Sequence, residues 1–165
     1  MERFVREFSS HVMKVLEQAL GDDLIALALF GSGARGALRK GSDLDYLIVM
    51  KDPLPTYGKR VRRIAPLMSA LRSNKTYEDL ESLEMDLEPS FVILSEKEIT
   101  RHPPILLDMV EYSRILHDKD GVLRREIDRV AQRLRELGSQ KKRLPDGSWY
   151  WVLKPGSRPG EVIEI

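Results

Sequence analysis

The sequence predicts an α/β (α+β) fold: a short, mixed, strongly twisted sheet backed by helices. Three observations carry this expectation. Residues 24–30 (LIALALF) and 43–50 (DLDYLIVM) are apolar runs of strand character. A Gly-rich connector joins them, so the unit reads as strand, tight loop, strand. Segments with helical apolar spacing stand before and after it. The expected organisation is one domain over residues 1–165, with its core motif at 24–50 and a C-terminal helix and strand (122–165) packed on it.

In chain order, Phe4, Phe8, Val12, Val15, Leu16 and Ala19 recur at helical spacing, which predicts a helix over 2–20 closed by Gly21. Strands follow at 24–30 and 43–50, then a rigid loop at Asp52-Pro53-Leu54-Pro55. Val61, Ile64, Leu67, Met68 and Leu71 predict a helix over 57–71, with Pro66 kinking it or marking a late start. Its leading end carries Lys59, Arg60, Arg62 and Arg63, which read as a solvated face or as contacts for a polyphosphate or RNA. Residues 73–84 are polar and predict a loop with a short helical turn. A third strand is expected within 84–94.

Ser95 with Glu96 and Glu98 marks a capped helix start. A helical face spans 105–113, and 115–117 is a short strand. Asp118 and Asp120 resemble a metal pair, yet the downstream ligands of a calcium loop are missing and turn chemistry accounts for them. Leu123, Ile127, Val130, Leu134 and Leu137 form the clearest amphipathic helix, over 122–137, closed by Gly138. Its basic face, read as continuing into Lys141-Lys142-Arg143, is either solvated or a surface for an acidic partner or tRNA. The strand at 148–153 puts Trp149 and Trp151 on one face and Tyr150 on the other. The Trp pair covers the sheet, makes a subunit contact, or stacks a base.

The chemistry concentrates in the core motif. On a strand, Asp43 and Asp45 point to the same side, close enough to share a metal ion or to sit on a pair of them. The connector returns Gly31 and Ser32 to the start of that strand, so a backbone able to hold phosphate oxygens faces two acids able to hold the phosphate's metal. Gly31, Gly33 and Gly36 match a dinucleotide fingerprint in form. The next strand starts only seven residues after Gly36, however, leaving no room for the packed helix that fingerprint needs. A P-loop would require Lys and Ser or Thr after Gly36, where Ala37 and Leu38 stand.

Gly31-Ser32, ten residues, then Asp43-Leu44-Asp45, with Ala34-Arg35-Gly36 inside the gap, resembles the minimal nucleotidyltransferases. These are small members of the DNA polymerase β superfamily, related to kanamycin nucleotidyltransferase. The match covers about 20 contiguous residues. The resemblance implies a nucleotidyltransferase fold that moves a nucleoside monophosphate from a nucleoside triphosphate, ATP favoured, to an acceptor hydroxyl with release of pyrophosphate. It implies Mg²⁺, as a two-metal site, on Asp43 and Asp45. Gly31 and Ser32 would bind phosphates, with Arg35 as a phosphate contact or a salt bridge that fixes the loop. The family places a third carboxylate on the strand after Asp-x-Asp, as metal ligand and base. Asp86 and Glu88 would share a strand face and are both candidates; Asp86 is favoured because Leu87 follows it directly.

Several relatives are antitoxins that nucleotidylate a separately encoded HEPN toxin, so the resemblance implies a HEPN-type protein as partner; a tRNA acceptor and a homo-oligomer are further expectations. A non-catalytic nucleotide-binding module is the other reading. Composition sets outer bounds: 27 Lys and Arg stand against 26 Asp and Glu, so charge alone points to neither nucleic acid nor membrane. There is no Cys, hence no disulfide, thiolate site or Cys nucleophile. The longest apolar run is too short for a bilayer and the N-terminus lacks signal-peptide character, so a cytoplasmic protein is expected. The high charge content with a single Asn fits a thermophile.

Overall fold

A computed structural model describes residues 1–51, 56–73, 75–82 and 88–165. Its centre is the pair of apolar runs, β1 (Leu24–Leu29) and β2 (Asp43–Met50), antiparallel to each other. On the outer side of β2 lies β3 (Glu88–Ser95), parallel to it; on the outer side of β1 lies β4 (Arg114–Asp118), antiparallel. The order β3-β2-β1-β4 is the mixed sheet the sequence predicts. All six residues of β1 are buried because both of its faces are covered.

One face packs on α1 (Glu2–Leu20) through Val5, Phe8, Val12 and Leu16, which meet Leu27, Leu29, Leu44 and Tyr46. The helical apolar stripe read from the sequence is what builds this contact. Within it the Tyr46 and Ser9 hydroxyls share a hydrogen bond of 2.9 Å, which satisfies a buried phenol. The other face packs on α8 (Val122–Leu137) through Leu123, Ile127, Val130 and Leu134, which meet Ala26, Ala28, Leu47 and Val49. A register shift between Leu24 and Ala26 turns Ile25 and Ala26 together toward this second layer. Asp118 starts α8 by accepting from the backbone N–H groups of Leu123 and Arg124, each at 2.9 Å, which is the turn role expected of it.

Several expectations are corrected. The Gly-rich connector is not only a loop: Gly31–Arg35 is a short helix, α2. Its glycine content disfavours helix, but Gly33 lies between the Leu29 and Leu44 side chains, where a Cβ would come within 3.2 Å, so packing decides. The helix expected over 57–71 is two, α3 (Tyr57–Ile64) and α4 (Leu67–Arg72), broken at Pro66. Its basic run is partly structural, since Arg60 is buried against Glu98 at 2.7 Å and Arg63 meets Asp23 at 2.8 Å. The polar stretch after it holds a helix, α5 (Lys75–Ser82), because Tyr77 is buried against Phe8. The third strand starts at Glu88; the earlier part of the expected strand, Asp86 included, lies outside the described residues.

The capped start at Ser95 is present as α6 (Glu96–Ile99), with Ser95 and Glu98 forming a reciprocal capping box. The next helix, α7, is shorter than expected, Ile105–Met109. Lys141-Lys142-Arg143 does not continue α8: Gly138 stops the helix, and Gln140–Arg143 is a strand, β5, paired with β6 (Trp149–Val152). No helix among the described residues is long and apolar enough to cross a membrane.

Candidate nucleotide site

Asp43 and Asp45 stand at the first and third positions of β2, two residues apart on a strand and therefore on one face. Further along that face, Leu47 and Val49 are buried under the α8 layer, while Asp43 is exposed and Asp45 half-buried at the open end. The backbone N–H of Phe30 donates to the Asp45 carbonyl at 2.9 Å, which ties the start of α2 to the acidic end of β2. Gly31, with φ +65°, follows at once. A Cβ placed there would lie 2.6 Å from Asp45 Oδ2. Glycine is thus required twice, by the left-handed backbone and by the carboxylate beside it.

Burial pushes the Asp45 carboxyl above the usual range, and the negative charge of Asp43 pushes it further; Arg35 opposes both. The folded protein therefore disfavours charged Asp45, a cost absent below the ordinary carboxylate pKa and incurred as pH rises through the raised one. In EDTA near neutral pH, Asp45→Asn is accordingly expected to melt at a higher temperature than wild type. The advantage should shrink as pH falls through the acid range, and a melting series with and without EDTA checks it. Two carboxylates of like charge on one strand face, one of them half-buried, are the set that a divalent cation neutralises. Among the described residues no group of three or more His, Asp or Glu gathers around one point.

The parallel register pairs Asp43 with Glu88 and Asp45 with Ser90. Glu88 is nonetheless engaged elsewhere, accepting from Arg72 Nη2 and the Tyr77 hydroxyl, each at 2.9 Å. Burial raises its pKa, but these two bonds outweigh that and hold it below the usual carboxylate range. Asp86, the favoured third acid, lies outside the described residues.

A cavity of about 290 Å³ joins Gly31, Ser32, Arg35 and Asp45 to Asp108, Tyr112 and Trp149. A larger one, about 850 Å³, shares Ser32, Arg35, Tyr112 and Trp149 and extends to Arg39, Lys141 and Arg143. The sequence reading missed this C-terminal wall. Of the Trp pair, Trp151 packs on the second apolar layer, as expected of a sheet cover, whereas Trp149 reaches the motif: its Nε1 donates to Asp108 Oδ1 at 3.3 Å, and Arg35 Cζ sits 4.7 Å from its ring centre. Lys141 Nζ lies over both Trp rings, which confirms that they share a face. One signal was available, since Pro145-Asp146-Gly147 is a turn sequence and implies a partner strand for residues 149–152.

A family model described as the nucleotidyltransferase domain matches residues 11–117, well over half of the chain. The chain belongs to this family. The matched span contains α2, β2 and the paired acids and stops before the hairpin of β5 and β6. Spectinomycin 9-adenylyltransferase of Enterococcus faecalis is 32% identical over 97 residues, covering 56% of this chain and 34% of that protein. The chain thus spans about a third of that relative's length. A putative protein adenylyltransferase of Methanocaldococcus jannaschii is 25% identical over 129 residues, covering 78% of this chain and 82% of the relative. Among solved structures, a spectinomycin adenyltransferase with ATP and spectinomycin is 18% identical with a TM-score of 0.49, covering 79% of this chain and 67% of that one. A toxin-antitoxin structure with AMP-PNP is 17% identical with a TM-score of 0.48, covering 78% and 91%.

Proposed function

We propose that the protein transfers a nucleoside monophosphate from a nucleoside triphosphate to an acceptor hydroxyl and releases pyrophosphate. The observation that carries this reading is the contact of Gly31 with Asp45: the phosphate-binding turn and the paired acids form one unit, within the span that matches the family. ATP is the favoured donor, because both curated relatives are adenylyltransferases by name.

Asp43 and Asp45 would hold Mg²⁺, with Asp86 as third ligand. When bound, the metal stabilises charge on the attacking and leaving oxygens. Backbone N–H groups at Gly31 and the Ser32 hydroxyl bind phosphate oxygens, and Arg35, lining both cavities, adds a positive charge beside them. The acceptor oxygen forms a bond to the α-phosphorus, while the bond from that phosphorus to the oxygen bridging the β-phosphate breaks. The hydroxyl proton passes to Asp86, and the electron pair leaves with pyrophosphate. The acceptor is a hydroxyl of a protein such as a separately encoded HEPN-type partner, of a tRNA, or of a small molecule.

The test is incubation with each labelled triphosphate, Mg²⁺ and candidate acceptors, with mass measurement of the products. Asp86→Asn is expected to keep triphosphate binding within a few-fold and to lower transfer by about two orders of magnitude or more, whereas Glu88→Gln has a much smaller effect. The reverse pattern makes Glu88 the base. Tight binding with no pyrophosphate released in the presence of any acceptor makes the protein a nucleotide-binding module instead.

A further inference from the structure

We propose that the C-terminal hairpin completes the triphosphate site: Arg143 of β5 and Arg39 of the α2–β2 connector hold the β- and γ-phosphates, while Trp149 positions Arg35 toward them. This rests on the nucleotide reading above and extends it to Arg39 and, beyond the family match that ends at residue 117, to Arg143 and Trp149.

The cavity of about 850 Å³ starts at Ser32 and Arg35 and ends at Arg39, Lys141 and Arg143, so one space connects the phosphate turn with cations from three separate segments. Four of its lining residues are cationic and a single one, Glu111, is acidic. Glu111 is already taken by an ion pair with Lys141. Among the described residues, Arg39 and Arg143 have no carboxylate at ion-pair distance, and both are exposed. In a chain whose net charge is only +1, this is a strong local excess. Cations that separate elements hold around one cleft repel one another until an anion enters. A triphosphate anchored at Ser32 carries its distal charge into that cleft, whereas a monophosphate does not reach it.

Trp149 acts through Arg35. Asp108 fixes the indole through its N–H, and the ring lies 4.7 Å from the Arg35 guanidinium carbon, which limits where that long side chain can go. Trp149 is therefore a positioning residue, and the two arginines are binding residues.

The experiment is calorimetric titration of ATP and of AMP, with Mg²⁺, into wild type, Arg39→Ala, Arg143→Ala, the double variant, Trp149→Phe and Trp149→Ala. Each arginine variant is expected to weaken ATP by about tenfold, the value of a charge-assisted phosphate contact, and AMP by less than about twofold. Trp149→Phe should stay within about threefold, while Trp149→Ala should erode the preference for ATP over AMP. Melting curves serve as the folding check, and both arginines are exposed, so their removal should leave the fold intact. Unchanged ATP affinity in the double variant, or equal losses for ATP and AMP, overturns the proposal while leaving the nucleotide reading in place. Wild type that binds no triphosphate overturns both.

Discussion

Asp45→Asn is expected to lower nucleotidyl transfer by about three orders of magnitude, and Asp43→Asn by a similar factor. A divalent cation at the reacting phosphate is worth several kcal/mol, and about 4 kcal/mol corresponds to that factor in rate. Asn keeps the shape of Asp but holds a cation weakly, so the fold should survive. The raised pKa of Asp45 sharpens the expectation, because the same substitution should stabilise the protein in EDTA. A variant that becomes more stable and less active separates a ligand from a structural residue. Steady-state pyrophosphate release, with melting curves on the same samples, measures both effects.

Gly31→Val should be as damaging for a different reason. The left-handed backbone at φ +65° costs an ordinary residue about 1–2 kcal/mol, and a β-branched one more. The new Cβ would also sit 2.6 Å from Asp45 Oδ2, so the carboxylate must swing out of the site. Transfer is expected to fall by at least about two orders of magnitude, since the proposed phosphate turn and one of the proposed metal ligands would be displaced together. Gly36→Ala is the control: its φ is +69°, yet nothing lies within 4 Å of the added Cβ. It should carry the backbone strain alone, losing about 1 kcal/mol of stability while keeping triphosphate affinity within a few-fold. Equal behaviour of the two variants would mean that strain, not the contact with Asp45, explains Gly31.

The parts of this molecule that could be read from the sequence are those set by local periodicity. The alternation of β2 fixed Asp43 and Asp45 on one face, and the stripes of α1 and α8 foretold which sides would meet the sheet. Pro66 broke its helix as proline should. What escaped depended on contacts between distant segments. The polar run that became α5 is helical because Tyr77 finds a buried place against Phe8, and propensity alone does not announce that. The short α2 forms at a glycine-rich stretch where Gly33 packs tightly between Leu29 and Leu44, a long-range contact that propensity does not announce. The Trp pair read as a sheet cover, a subunit contact or a base platform; that Trp149 reaches Arg35 and Asp108 follows from where the hairpin docks after Gly138, which no spacing rule contains. The Pro145-Asp146-Gly147 turn would have recovered the hairpin, though not its partner.

Calorimetric titration of ATP into wild type and into the Asp43→Asn and Asp45→Asn variants, in Mg²⁺ and in EDTA, tests the central claim most directly. The account predicts binding in Mg²⁺ that EDTA weakens strongly and that either substitution weakens toward the EDTA level. Equal affinity in Mg²⁺ and EDTA, unaltered by either substitution, would contradict it.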